Sequence, residues 1–130
     1  MCRYVKIFFS AIFTVIIFFN FAKCSAEDLR FIDANDDTGY YVDASTIRVE
    51  SDSVFYVDLD IIRASINQME IINLRINHWE KTYQVMSVKT VSYDERTELK
   101  SDNNSRSPSS YAEKSVIGEI VHFVLTGSMR

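Results

Sequence analysis

The chain has 130 residues, of which 47% are hydrophobic, and its formal net charge at pH 7 is −4. A chain of this length has room for one domain with a single core. Its negative charge makes nucleic acids and anionic lipid surfaces poor partners, because both carry charge of the same sign.

The N-terminus has the three parts of an export signal. Arg3 and Lys6 form a positive start, and a fifteen-residue apolar run from Ile7 to Phe21 follows. As a helix this run would cover about 22 Å, which is short for a hydrocarbon core of ~30 Å. Cys24 and Ala26 then place small side chains before the predicted cleavage site, as a signal peptidase requires. We therefore predict a signal peptide over residues 1–26, cleaved after Ala26.

Two other interpretations of this segment stay open. Lys23 is an unusual charge so close to a cleavage site, which leaves an uncleaved membrane anchor as one alternative. A lipoprotein attached through Cys24 is the other, although Lys23 and Phe21 stand where such signals carry a small residue and leucine. In each case we expect contact with a membrane only through this N-terminal export segment.

Residues 27–130, which remain after removal of the leader, are more acidic than the whole chain. Three of the 14 basic residues and none of the 18 acidic residues lie in it, so residues 27–130 carry 11 basic and 18 acidic side chains and a net charge of −7. Cys2 and Cys24, the two cysteines of the chain, also lie in the leader. The exported domain must therefore fold without a disulfide or a thiolate metal site.

We predict that residues 27–130 form a single domain that is mostly strand. Short strands at Arg30 to Asp33 and Tyr40 to Asp43 flank a turn at Asn35 to Gly39. The stretch from Asp43 to Ile47 then has the pattern of one helical turn capped by its first residue.

The clearest strand is Val54 to Ile62, in which apolar and polar residues alternate. One face is predicted to be core (Phe55, Val57, Leu59 and Ile61) and the other to be exposed to solvent (Tyr56, Asp58 and Asp60). Asn67-Gln68 should turn the chain into a second alternating strand, Met69 to His78, and the two strands should pair as a hairpin.

Lys81 to Tyr93 is rich in Tyr, Val and Thr and is predicted as a third long strand. Asp94 to Arg96 should turn it back into an edge strand at Thr97 to Lys100. Ser101 to Ser110 has the composition of a loop.

The last element differs, because its apolar residues recur at the helical spacings of three and four. They are Ile117, Ile120, Val121, Val124 and Leu125. We place the helical region at about residues 113–126, with a regular part from Val116 to Leu125, a cap at Ser115 and an end before Gly127. The sequence therefore predicts an α+β fold, with an antiparallel sheet of five or six strands and one C-terminal helix packed on it.

The order of these motifs resembles the surface-adhesin protein E-like family of small secreted bacterial domains. Tyr41 to Ile47 looks like the family's Tyr-hydrophobic-Asp stretch running into Ser-Ile, and Val54 to Leu59 looks like the strand that follows it. The later matches are the Tyr93-Asp94 turn and the closing Pro108, Ser115 and Ile117-Gly118-Glu119. The resemblance spans roughly Tyr40 to Leu125.

The resemblance implies a disulfide that ties the terminal helix to the sheet, and this chain lacks it. The cysteines would fall near His78 and near Leu125 or Thr126, and none of these residues is cysteine. We expect the apolar stripe to hold the helix instead, without the ~2–4 kcal/mol that a disulfide typically adds. The founding member of the family binds host matrix and plasma proteins, but no short motif carries that activity to residues of this chain.

Few residues have the pattern of a catalytic or metal site. Asp58 and Asp60 would lie about 7 Å apart on one strand face, as paired glycosidase carboxylates do, but a solvated strand that resists edge pairing shows the same spacing. His78 should end a strand at a turn, and His122 should lie beside the helical stripe, so they lack a third ligand at metal spacing. We expect no catalytic residue, no metal site and no cofactor.

Tyr56 and Trp79 are the candidate protein-binding residues, since aromatic side chains are enriched at interface hot spots. The leading hypothesis is an exported noncatalytic protein of the surface-adhesin protein E-like type, located in the periplasm, at the cell surface or outside the cell. It would bind a host or envelope protein. The alternative is a structural envelope or periplasmic module without host binding, held by an uncleaved anchor.

Overall fold

The computed structural model describes residues 26–127. The predicted signal peptide, apart from Ala26, lies outside these residues. Within the described part, no helix combines the length and the apolar character needed to cross a membrane.

Within residues 26–127, seven antiparallel strands form one sheet and a single α-helix follows them. The elements are β1 (Leu29–Asn35), β2 (Thr38–Val49), β3 (Val54–Arg63), β4 (Gln68–Asn77), β5 (Thr82–Ser92), β6 (Glu98–Asp102), β7 (Ser109–Ser110) and α1 (Val116–Thr126). Strands β1 to β6 lie side by side in chain order, and β7, predicted as loop, pairs with β5. The predicted α+β class, with an antiparallel sheet and one C-terminal helix, is confirmed.

Left-handed residues make four of the connections between strands. They are Asp36 (φ 58°), Asn67 (φ 53°), Lys81 (φ 57°) and Arg96 (φ 59°). Asp and Asn adopt this conformation more readily than most residues, because their short polar side chains bond locally. The side chain of Asn67 also accepts a hydrogen bond of 3.0 Å from the amide of Asp94, which ties two turns together at one end of the sheet.

The helical turn predicted for Asp43 to Ile47 is wrong, because this stretch lies inside β2, where the register with β3 shifts. The Asp43 carboxylate accepts hydrogen bonds from the amide and the hydroxyl of Ser45, at 3.1 and 2.6 Å. The hydroxyl of Thr46 accepts a 2.8 Å bond from the amide of Asp58 on β3. Side-chain bonds of this kind stabilise a strand irregularity as well as a helix start.

The face of the sheet beneath α1 holds the larger core. Its buried residues are Val42, Phe55, Val57, Leu59, Ile61, Leu74 and Ile76 from the sheet and Ile120, Val121 and Phe123 from α1. The predicted cap and end of the helix are confirmed, since the Ser115 hydroxyl accepts a 3.2 Å bond from the amide of Gly118 and Gly127 is left-handed. Leu125, predicted on the buried stripe, is 56% exposed instead.

The opposite face, which we call the back face, was predicted to be exposed to solvent, and this is wrong. Ile62, Met69 and Val91 are buried there, and Leu29, Tyr41 and Ile71 pack against them. Asp60 lies on the same face and is only 1% exposed. Strand β3 lies between β2 and β4, so the charges of Asp58 and Asp60 do not protect a sheet edge.

The start of the described chain contributes to the closure of the back face. Leu29 packs against the buried residues of the back face, and Glu27 forms an ion pair with Arg96 in the turn between β5 and β6. Two nitrogen–oxygen distances of 2.9 Å make this pair bidentate. The charges of Glu27 and Arg96 both act on Asp60, which places the pair near that buried carboxyl group.

Replacing Gly118 by alanine should destabilise the domain. A Cβ atom at this position would lie far inside van der Waals contact of the backbone carbonyl of Glu113, so α1 would have to shift. We expect a loss of at least the ~1–3 kcal/mol typical of overpacked sites, measured as the free energy of unfolding in urea by circular dichroism. Gly127→Asn is the control, since its site is open and asparagine tolerates the left-handed conformation. Equal stability of Gly118→Ala and the native chain would contradict this close approach.

Candidate functional site

A pocket of about 170 Å³ lies where the turn between β4 and β5 meets α1. Its lining comes from three segments: His78 and Lys81 from that turn, Tyr111 and Glu113 from the segment before α1, and Val121, His122 and Leu125 from α1. Both histidines of the chain therefore face one cavity, although they lie in different elements.

His78 is fixed in the pocket wall by three contacts. Its amide donates to the carbonyl of Ser53 at 2.9 Å, and its Nε2 lies 3.0 Å from the carbonyl oxygen of Asp52. A carbonyl only accepts, so Nε2 carries the hydrogen and Nδ1 of a neutral ring is an acceptor. The ring also packs 6.3 Å from that of Phe55. As predicted, His78 follows the end of a strand at a turn.

Tyr111 adds a hydroxyl group to the pocket. Partial burial raises the pKa of this phenol, and the negative charge of Glu113 raises it further. The hydroxyl therefore keeps its proton at neutral pH and can donate a hydrogen bond. Together with the histidine rings and Lys81, it gives the cavity polar groups that can orient a ligand.

Trp79 stands next to this pocket and is 69% exposed. Its ring meets that of His78 edge to face, with centroids 6.4 Å apart. The Asn77 side chain accepts hydrogen bonds from the amides of Trp79 and Glu80, at 3.1 and 3.0 Å, and these bonds hold the turn that carries the indole. A large aromatic surface is thus presented to solvent on a fixed turn.

Tyr56, the other predicted contact residue, lies on the back face. It alternates along β3 with Phe55 and Val57, which belong to the core beneath α1. The guanidinium group of Arg48 stacks 4.2 Å from the centre of its ring, a cation–π contact. Glu50 accepts hydrogen bonds from Arg75 and from Tyr56, and these bonds lower the pKa of Glu50. The structure therefore does not bring Tyr56 and Trp79 together.

The acids of β3 lie in unlike surroundings. Burial raises the pKa of Asp58, and a hydrogen bond of 2.9 Å from Asn73 opposes that rise. Burial and the charges of Asp43 and Asp58 raise the pKa of Asp60 to about 8. Among residues 26–127, no group of three His, Cys, Asp or Glu side chains could hold a metal ion.

Sequence patterns could not find the pocket, because it depends on where α1 lies on the sheet. The spacing of apolar residues in α1 identifies the face that packs, but not the strand ends that it reaches. The only signal was the resemblance, which implies that residues near His78 and Leu125 are neighbours, and both line the pocket.

Comparison with models of known protein families, with curated proteins and with solved structures finds no match to this chain. The choice between candidate surfaces therefore depends on geometry. Trp79 offers exposed aromatic area beside a cavity, whereas the Tyr56 ring is partly buried and covered by Arg48.

Replacing Asp60 by asparagine should make stability less dependent on pH. In the folded state the proton is held up to about pH 8, whereas the unfolded chain releases it near the ordinary value of 3.8. The free energy of unfolding should therefore fall as the pH rises from about 4 to about 8. Asparagine does not titrate, so this fall should become smaller by a few kcal/mol.

Urea unfolding of the two proteins at pH 5 and pH 8 measures this difference. Asp33→Asn, which removes an exposed acid on β1, is the control and should keep the native pH dependence. If Asp60→Asn and the native protein lost equal stability between the two pH values, the assignment of the raised pKa to Asp60 would be wrong.

Proposed function

We propose that residues 27–130 form an exported, noncatalytic domain that binds another protein through the pocket and the exposed face of Trp79. The observation that carries the proposal is the exposed indole on a fixed turn beside a cavity. Tryptophan is among the residues most enriched at binding hot spots, because it loses a large apolar surface to its partner. We call the pocket together with Trp79 and Leu125 the contact surface.

The dimensions of the contact surface favour a protein partner over a small molecule. Clefts for drug-sized ligands usually measure about 300–1,000 Å³, and this pocket has about 170 Å³. A single side chain of a partner fits a cavity of that size, with Trp79 and the 56% exposed Leu125 as apolar area around it. The hydrogen bonds from Asn77 reduce the ordering that binding would otherwise require.

The absence of catalysis in this proposal is supported by the environment of His78. Its Nε2 donates to a backbone carbonyl, and among the described residues no hydroxyl or thiol nucleophile is hydrogen-bonded to its ring. A buried acid with a raised pKa does exist in Asp60, but it lies on the back face, away from the pocket.

The resemblance to the surface-adhesin protein E-like family supports the same proposal. In that family a disulfide would join the positions near His78 and Leu125, and these two residues line one pocket here. In this chain, which lacks that disulfide, the pocket lies at the position where the family carries the crosslink. The proposed partner is a host or envelope protein, and export is through the leader.

Replacing Trp79 by alanine should lower binding at least about tenfold, as hot-spot truncations do. The probe is a panel of purified matrix and plasma proteins coated on a surface, chosen because the founding family member binds such proteins. Phe31→Ala is the matched control, since Phe31 is 54% exposed on β1 and lies outside the pocket.

Four results separate the hypotheses. Loss with Trp79→Ala alone supports the contact surface. Equal loss with Phe31→Ala indicates general adhesion of aromatic side chains, and loss with Tyr56→Ala alone moves the site to the back face. If the native protein binds no member of the panel, the structural envelope module becomes the better hypothesis.

Export should leave a mature chain that begins at Glu27. The chain is expressed with its own leader in a bacterium, and the N-terminus of the product in each cell fraction is identified by mass spectrometry. A product that retains residues 1–26 in the membrane fraction would contradict release and favour the uncleaved anchor.

A further inference from the structure

Lysine is an unexpected residue at the last position of the turn between β4 and β5. Lys81 has a φ of 57°, in the left-handed region that glycine and asparagine adopt most readily. Three other non-glycine residues share this conformation in the described part of the chain, and two of them, Asp36 and Asn67, are of types that tolerate it. The third, Arg96, forms an ion pair with Glu27. Lys81 has neither reason, which points to a role for its side chain in the pocket that it lines.

The ammonium group of Lys81 has no ion-pair partner among residues 26–127. The five ion pairs between these residues are all made by arginines. Glu113, which lines the same pocket, already interacts with another group. One unpaired ammonium group therefore belongs to the pocket wall.

The backbone places Tyr111 beside this charge. Strand β7 pairs with β5 through Ser110 opposite Thr82, and the next residues along the same two segments are Tyr111 and Lys81. The amide of Tyr111 donates to the carbonyl of Lys81 at 3.1 Å, which holds the two residues next to each other. The phenol keeps its proton at neutral pH, because burial and the charge of Glu113 raise its pKa. An ammonium group and a hydroxyl donor therefore stand side by side in one pocket.

This pair of donors suits a singly charged anion. Hydrogen bonds between an ammonium group and an anion are stronger than those between neutral groups. His78 and His122 do not oppose an anion, since a histidine ring is neutral or positive. Glu113 does oppose one, and less so for a carboxylate than for a phosphate group, which carries nearly two charges. The carboxylate of glutamate or aspartate is the protein group that fits this balance.

We propose that the pocket binds an acidic side chain of the partner protein, through the ammonium group of Lys81 and the hydroxyl group of Tyr111. This inference rests on the proposed function, because it names the side chain that enters the pocket of the contact surface. The exposed side chains of Trp79 and Leu125 then contact apolar groups beside that acid. The partner segment is an acidic residue with apolar neighbours.

The negative charge of the whole domain does not prevent this contact. Residues 27–130 carry a net charge of −7, but solvent-exposed charges farther apart than ~8 Å are largely screened at physiological ionic strength. The groups of the pocket wall therefore decide the contact. Glu80 precedes Lys81 in the sequence but is not part of that wall.

Two blocked tripeptides that differ in one side chain test the proposal. The full chain is expressed with its own leader, and the nitrogen-15-labelled product is titrated with acetyl-Leu-Glu-Leu-amide and with acetyl-Leu-Gln-Leu-amide. Binding is followed by NMR through the amide signals of Lys81, Tyr111 and His122. We expect the glutamate peptide to bind at least about threefold more tightly, because only its carboxylate forms an ion pair with the ammonium group.

Substitutions of lysine locate the source of this preference. Lys81→Asn should abolish it, and asparagine accepts the left-handed conformation of this position. Lys81→Arg keeps the positive charge and should retain the preference, whereas Tyr111→Phe should reduce it. Lys100→Asn is the matched control and should leave the preference unchanged, since Lys100 is exposed on β6 and lies outside the pocket.

Equal affinity for the two peptides, or binding of neither, overturns the acidic side chain as the occupant. A preference that survives Lys81→Asn, or that Lys100→Asn also removes, overturns it too, because its cause would lie elsewhere in the domain. Tighter binding of acetyl-Leu-Gln-Leu with a free C-terminal carboxylate assigns the pocket to chain ends and likewise overturns the proposal. The proposed function is judged separately, by Trp79→Ala in the surface assay, so the two proposals fail independently.

Discussion

The pairing of β3 with β4 is the contact on which the rest of the structure depends, because these strands bury side chains on both faces. They align over an uninterrupted register from Val54 opposite Asn77 to Arg63 opposite Gln68. A strand pair of this kind needs a cover on each side. Helix α1 covers one side, and Leu29 with the Glu27–Arg96 ion pair contributes to covering the other. The first and the last described segments of the domain therefore each help to cover one face of the sheet.

Local sequence patterns predicted most of the fold. They failed where one pattern of residues is compatible with two different structures. The alternation of apolar and polar residues predicted β3. The recurrence of apolar residues at spacings of three and four predicted α1, with its cap at Ser115. The segment after Asp43 was misassigned because an aspartate that bonds the following amides looks alike at a helix start and at a strand irregularity. Asp60 was misassigned because alternation tells which side a residue faces, but not what covers that side.

The candidate site was only partly visible in the sequence, for a similar reason. Tyr56 and Trp79 looked equivalent as exposed aromatics, and the register of β2 with β3 separates them by placing Arg48 over the Tyr56 ring. His78 and His122 looked unrelated until the position of α1 brought both into one pocket wall. Contacts between elements, rather than the composition of any one of them, decide which residues form the site.

Trp79 is the single tryptophan of the chain, and it stands in solvent against the His78 ring. Its intrinsic fluorescence therefore reports on one location. A partner that covers the contact surface removes water from the indole and moves the emission to shorter wavelength, whereas changes confined to the back face leave the emission as it was. The molecule carries its own optical probe, and binding at the contact surface can be followed without any added label.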